Sequence, residues 1–470
     1  MLLSLSWRNI WRNKTRSMVV VAAIAIGLWS GVSTMALLNG WIKGRMNDSI
    51  NNEISHIQIH HPDFLLNEEV DKVFAADSVQ NILDKTSNVT GYSQRIKLYA
   101  MAQSDRASAG LLVLGVKPDD ERKISGIPQT IITGNFLEGN HRVPSIVIGK
   151  KAAEQLKLVN FVLNEKSISS LAVLDESIPK HLEPLNGKRY RNRATLIRDL
   201  KKNLPHKTFE KWADRIADSL ATFRLRGPVV LTFQTTDGEL QSAMFRVRGI
   251  YKTSNTAFDS RMAFVDYNVL SGNAKIPNGY VHEIAIKCTN NEVAKSVSEE
   301  LSSTLKNLKV QNWEEISPEI ALYAAFGDFM GLIYVVIFLF ALAFGIINTM
   351  MMSVLERFRE FGMLMAIGMK KLQIFKMIMA ETVLLTLTGG VVGLALSFIF
   401  IQILSHTGVD LSMWAEGLEA LGYASIIYPE LTVTDYILVT ILVIVTGILS
   451  SIWPARRALK LNPMEALRIE

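Results

Sequence analysis

Three groups of residues in this chain have types and spacings that invite a chemical reading. His56, His60 and His61 lie close together, and His56 and His60 would share one face of a strand. No acidic residue or cysteine stands beside them at a convincing ligand spacing, so no metal site is expected there. Gly149-Lys150 and Gly187-Lys188 carry the glycine-lysine pair of a phosphate-binding loop, yet both lack the upstream glycine and the following Ser or Thr. No nucleophile elbow, zincin helix or spaced carboxylate pair occurs either. No catalytic residue is therefore expected, and any ATP hydrolysis, with its Mg, belongs to another polypeptide.

The third group runs Glu356-Arg357-Phe358-Arg359-Glu360-Phe361-Gly362-Met363-Leu364-Met365-Ala366-Ile367-Gly368. Leu355, Phe358, Phe361, Leu364 and Ile367 recur every three residues beside a charged face of Glu356, Arg359 and Glu360, which reads as a short amphipathic helix over 355–368. Gly368 suits the end of such a helix, because glycine tolerates the left-handed cap conformation. An exposed amphipathic helix must rest against something, either a protein groove or a lipid surface.

The elements that position it are four apolar runs: Ser17 to Leu38, Phe329 to Val354, Ile378 to Leu404 and Tyr436 to Trp453. Each is long enough to cross about 30 Å of hydrocarbon, which takes roughly 20 helical residues. Flanking charge orients them, because short cytoplasmic segments collect Lys and Arg. Arg8, Arg12, Lys14 and Arg16 precede the first run; Arg357, Arg359, Lys370, Lys371 and Lys376 follow the second; Arg456, Arg457, Lys460 and Arg468 follow the fourth. Ser405 to Asp435 instead holds five acids and no Lys or Arg. Both termini are therefore expected in the cytoplasm. Glu381, inside the third run, should either snorkel to the interface or pair with the helix at 355–368.

The expected division is residues 1–40, an interfacial helix and the first span; 41–328, a domain that folds on the opposite side; and 329–470, the remaining spans. Leu3, Trp7 and Trp11 recur every four residues, with Arg8 and Arg12 elsewhere on the wheel, as in a helix lying at headgroup depth. The first run is too long for a signal-peptide core and reads as an uncleaved anchor. Ile42, Met46, Ile50 and Ile54 keep helical spacing as a stalk, after which the alternation of His56 to His60 announces strands. Val229 to Thr235 and Gln241 to Tyr251 flank Asp237-Gly238 as a hairpin. Lone Cys288 forms no internal disulfide and reads as a small buried hydrophobe. A less regular insertion, about 157–227, has helices broken near Pro205 and a basic second half, with Lys188, Arg198, Lys211 and Arg226 among twelve cations facing four acids. It is either a solvated excursion or a docking surface for an acidic partner or anionic headgroups. The net charge of +6 follows from these basic segments and does not point to nucleic acid.

The order of these features resembles the MacB, FtsX and LolC/LolE group of ABC transporter permeases. The likeness rests on Trp7-Arg8-Asn9, the ERxREFG…AIG segment, Gly389, Gly390 and Gly393, Pro454-Ala455-Arg456-Arg457-Ala458, and Asn462-Pro463-Met464-Glu465-Ala466-Leu467. In the outward domain, Ser55 to His60, Gly149 to Leu156, Arg248-Gly249-Ile250-Tyr251 and Phe258 to Met262 are similar to the lipoprotein-releasing branch, although the link after Leu156 is expanded. The resemblance implies four transmembrane helices with a large α+β extracytoplasmic domain between the first two. It further implies an inner-membrane permease with its large domain in the periplasm, a cytoplasmic ATPase dimer, a second permease copy or paralogue, and mechanotransmission. Glu356, Arg359, Glu360, Phe361, Gly362, Leu364, Met365, Ala366, Ile367 and Gly368 would form the coupling helix. Relatives usually place a basic residue at Leu364 or Met365 and a small one at Met369, so thioether packing replaces some polar contact. Gly389 and Gly393 would allow close helix packing. Lipoprotein handed to a periplasmic carrier is the leading cargo, with lateral access past Met35, Leu38, Trp41, Ile42, Met330, Ile333, Tyr334 and Ile337. The alternatives are efflux of peptides or hydrophobic drugs, and signalling to cell-wall hydrolases.

Overall fold

The computed structural model describes residues 7, 8, 10, 12, 14–138 and 143–459. Leu3 and Trp11 of the expected interfacial helix, and the motif at 462–467, lie outside the described residues. The chain is a membrane protein with four apolar helices and a large α+β domain inserted between the first two. Those helices are Ser17–Ile54, Pro318–Glu356, Lys371–Thr407 and Val433–Leu459. By its internal contacts the chain forms two units: Met1–Met46 with Glu319–Ala415 and Ala424–Glu470, and Asn47–Pro318 with Glu416–Tyr423.

In the first unit, the third span lies between the first and the fourth. A Cβ on Gly389 would sit 2.7 Å from the Ile24 side chain, and one on Gly393 would sit 2.9 Å from the Ala25 carbonyl oxygen, so the two backbones touch directly. On its other side, Gly447 of the fourth span leaves room for Thr386, 2.7 Å from where a Cβ would stand. Ile24, Leu28 and Val32 of the first span, Leu339 and Ile346 of the second, Ile378 and Leu385 of the third and Val443 of the fourth form one apolar core.

The second unit is built on strands that run, in chain order, β1 (Ile57–His60), β2 (Val89–Gln103), β3 (Ser108–Val116), β4 (Ile131–Gly134), β5 (Ser145–Gly149), β6 (Val159–Val162), β7 (Arg189–Tyr190), β8 (Ala221–Phe223), β9 (Pro228–Gln234), β10 (Leu240–Tyr251), β11 (Met262–Asp266), β12 (Glu283–Cys288) and β13 (Lys309–Asn312). The main sheet has the order β9-β10-β5-β11-β3-β2-β12-β1-β13, with β4 on β10, and β9 also pairs with β2. Six strands thus close into a ring. Closure is possible because β2 is fifteen residues long: Val89 to Arg95 pairs with β12, whereas Ala100 to Gln103 pairs with β9. Val229, Leu231 and Phe233 alternate with more exposed residues along β9 and are buried, as strands lining a ring require.

A charged cluster is buried in the open part of this sheet. Arg95 clamps Glu121 through Nη2 and Nε, at 2.6 and 3.1 Å, and its Nη1 donates to Glu283 Oε1 at 2.9 Å. The other Glu283 oxygen lies 3.1 Å from His60 Nε2 and 3.3 Å from Lys97 Nζ. His60 therefore serves an ion cluster, and among the described residues no group of His, Cys, Asp and Glu is arranged to hold a metal.

The insertion is more ordered than its sequence suggests. Strands β6 to β8 form a separate small sheet, and helices Arg193–Asn203 and His206–Ser219 pack over it around Leu163, Ile178, Leu196, Leu200 and Ile216. Residues 221–223, just after the second of these helices, form β8. Strands of two to four residues are too short to show their period.

Candidate functional site

The segment between the second and third spans is a bend, a short helix and a tight stop. The second span ends at Glu356, Arg357 leaves helical geometry with φ −96° and ψ 18°, and a new helix occupies Phe358–Ala366. Gly368 stops it with φ 103°. The Gly368 amide donates to the Met365 carbonyl at 3.1 Å and the Met369 amide to Leu364 at 3.0 Å, the paired bonds of a Schellman cap. Two residues later Lys370 and Gln373 open the third span, the Lys370 amide donating to Gln373 Oε1 at 3.0 Å.

The three-residue stripe seen in the sequence does not form one face. Phe361 is buried against the spans, whereas Leu355 lies outward and Ile367 is 85% exposed. Each step of three residues turns by about 300°, so five such positions drift around the helix, and the bend at Arg357 separates Leu355 from the rest. The face actually presented is Arg359, Met363, Ala366 and Ile367, with helical spacing of four, seven and eight. Gly362 is buried beside Phe361, while Leu364 and Met365 are half-buried against the membrane core. Glu356 and Gly368 are exposed and Glu360 is half-buried.

Behind this face lies a connected set of charges. Glu381, only 6% exposed within the third span, accepts two bonds from Arg357 Nη1, at 2.8 and 3.1 Å. Arg357 Nε donates to Glu360 at 2.9 Å, Arg12 pairs with the other Glu360 oxygen, and the Arg357 guanidinium lies 5.2 Å from the Phe361 ring centroid. Burial opposes charge on Glu360, but the Arg357 and Arg12 guanidiniums outweigh it and hold its carboxyl below the usual range. Of the two fates open to Glu381, pairing is the one observed. Arg357, its partner, is the functional residue that the helical wheel misses: drawn as one helix, the segment puts Arg357 among solvent charges. The signal that finds it is Glu381 itself, a buried acid that requires a cation within reach.

The residues read as a lateral access surface do not form a single patch. Met35 is buried, and it lies 3.6 Å from where a Cβ on Gly331 would stand. Ile42 fills the space left by Gly327. Leu38, Trp41, Met330 and Ile333 are half-buried, and Tyr334 and Ile337 are exposed. An apolar cavity of about 270 Å³ lies farther along the same two spans, lined by Ala23, Gly27, Phe338, Ala341, Gly345 and Thr349 among others.

Residues 332–463 match the family model for the FtsX-like permease C-terminal domain. The chain is 37% identical over 128 residues to a macrolide export ATP-binding/permease protein MacB of Chlorobium luteolum, covering 27% of this chain and 16% of the relative. It is 27% identical over 243 residues to an uncharacterized ABC transporter permease of Methanocaldococcus jannaschii, covering 49% and 57%. Among solved structures, the periplasmic region of MacB from Actinobacillus actinomycetemcomitans aligns with 59% of this chain and 97% of its own, at 13% identity and a TM-score of 0.29. The chain thus spans well under two thirds of the curated relatives' lengths. With four spans, a long insertion after the first and a capped helix between the second and third, it is similar to the MacB/FtsX group of ABC transporter permeases, and residues 332–463 form an FtsX-like permease C-terminal domain.

Proposed function

We propose that this chain is the transmembrane subunit of an ABC complex of two permease and two ATPase chains in the inner membrane, with both termini cytoplasmic and the inserted domain in the periplasm. The carrying observation is the outward face of Arg359, Met363, Ala366 and Ile367, presented on a capped helix whose back is tied to the third span through Arg357 and Glu381. An exposed isoleucine on a capped helix tied at its back to the third span suits a lever seated in a groove of an ATPase. Nucleotide-driven closure would move the helix, and Glu381 would carry that displacement into the span that touches both neighbours. Replacing Ile367 with Asp sets an unpaired charge in an apolar contact, which costs several kcal/mol. The co-expressed ATPase should then no longer copurify; unchanged copurification and permease-dependent hydrolysis reject this docking site.

Within that framework the cargo is read as a lipoprotein passed to a periplasmic carrier. Support comes from the outward-domain segments similar to the lipoprotein-releasing branch, and from the apolar cavity, since each buried methylene of an acyl chain contributes about 0.8 kcal/mol. Photocrosslinkers at Leu38, Ile333 and Ala341 should capture a triacylated lipoprotein without nucleotide and release it on ATP addition. Capture of bulk phospholipid alone, unchanged by ATP, rejects this cargo. One observation favours a second reading, efflux of a hydrophobic compound: relatives of this chain carry macrolide export in their names.

A further inference from the structure

Where the insertion rejoins the ring of strands, three arginines converge on one cleft. Arg246 and Arg248 lie on β10 where its pairing with β5 shifts register at Val247–Gly249, and both line the same cavity. Arg226 stands in the left-handed region, φ 63°, immediately before Gly227. Its amide donates to the Val247 carbonyl at 2.7 Å, and the Val247 amide donates to the Gly227 carbonyl at 3.1 Å. This two-bond clasp sets Arg226 beside the other two arginines. Such a left-handed conformation is uncommon for a residue with a Cβ.

The three line an open cavity of about 560 Å³ together with Asn135, Ser145 and Leu225, a volume within the usual range of small-molecule sites. Arg248 is held by the Glu138 carboxylate and, through Nε, by the Phe136 carbonyl at 3.3 Å. Arg226 and Arg246 are exposed and have no carboxylate partner among the described residues. Among the described residues, three guanidinium charges against one carboxylate leave two positive charges around this cavity. A phosphomonoester brings close to two negative charges and acceptor oxygens that match the guanidinium fork. The Asn135 amide and Ser145 hydroxyl supply further donors, and Leu225 supplies an apolar edge.

We infer that this cleft binds a phosphate-bearing ligand, with Arg226 and Arg246 as its two free clamps and Arg248 as the fixed one. The test uses the full-length protein in a maltoside detergent, which carries no phosphate, and titrates inorganic phosphate and water-soluble dihexanoyl phosphatidic acid by calorimetry. Wild type should bind, Arg246→Gln should weaken binding at least ten-fold, and Arg246→Lys should weaken it less because the charge survives without the fork. Arg226→Gly separates ligand from fold: glycine accepts φ 63°, so the thermal midpoint should hold or rise while binding falls. Phosphatidic acid binding ten-fold tighter than phosphate assigns the site to a lipid headgroup, and equal affinities assign it to the free anion. Failure of wild type to bind either probe overturns the inference, as does undiminished binding in an Arg226→Gly, Arg246→Gln double variant.

Discussion

Two charged clusters in this molecule share a design, an arginine shared by two glutamates, but differ in what surrounds them. Arg95, Glu121, Glu283 and His60 are all buried within the inserted domain, joined to strands and a helix that cannot shift without breaking a sheet. Arg357, Glu360, Glu381 and Arg12 stand at a bend, with Glu381 buried, Glu360 half-buried and Arg12 exposed. In the first, Arg95 holds Glu121 by two bonds and Glu283 by one, and Glu283 also meets His60 and Lys97. The second is a series of links between the chain before the first span, the short helix and the third span. Burial makes a network rigid and costly to break, whereas partial exposure leaves water to compensate as links exchange. That difference suits one cluster to holding a domain and the other to passing on movement.

The comparison breaks most severely at Arg95. Arg95→Met leaves Glu121 buried without a cation and Glu283 with only Lys97 and His60, and a loss of about 3–5 kcal/mol is expected in denaturant unfolding of the inserted domain. A loss below about 1 kcal/mol would mean that water already reaches the cluster.

At the bend the expected effect is smaller and differently distributed. A double-mutant cycle on Arg357→Ala and Glu381→Ala should return a coupling of about 1–3 kcal/mol in thermal stability. Glu381→Gln alone should uncouple ATPase stimulation from the permease while the complex still assembles. A coupling near zero together with normal stimulation would reduce Arg357–Glu381 to an ordinary buried pair.

Acid should separate the two regions further. Burial lowers His282 to about 4, and its neutral form is the one the fold accommodates, with one ring nitrogen 2.9 Å from the Val70 carbonyl and the other accepting from the Lys97 amide at 3.3 Å. Burial likewise lowers His56 to about 4. A histidine near 6.5 when unfolded and about 4 when folded contributes stability that is complete above 6.5 and lost as pH falls towards 4. Asp259 acts oppositely: burial raises it to about 6, so its contribution is present at acid pH and lost as pH rises through 6. Two histidines against one aspartate should make the inserted domain less stable by about 1–3 kcal/mol at pH 5 than at pH 7. His282→Gln, which keeps a donor and an acceptor, should flatten that slope; an unchanged slope would remove His282 from the account.

What the sequence disclosed follows from the range of the interactions concerned. The spans were legible because hydrocarbon thickness dictates a run length, and the β9–β10 hairpin because Asp237-Gly238 sets its turn, with Gly238 at φ 82°. Gly368 was legible as a helix stop for a similarly local reason. The ring was not, because the pairing of Val230 with Gln103 has no signature at either residue. Arg357 was hidden for the same cause: its partner Glu381 lies 24 positions away, across a cap and the start of a span. The three-arginine cleft joins residues from three segments, and its one local mark, a positive φ at Arg226, does not show in the residue type.

The long strand β2 also bears on how the chain is made. Its end at Ala100–Gln103 leaves the ribosome well before Val230–Phe233, the segment that must close the ring against it, and until then that edge is an unpaired template for other chains. The intervening insertion delays that pairing but shortens the search for it. It has its own apolar core, and its ends meet where the Arg224 amide donates to the Leu158 carbonyl at 2.8 Å. Once condensed, it brings the start of β9 back beside the end of the helix that precedes it, so the last strand searches from a nearby anchor instead of from the end of a long loose loop.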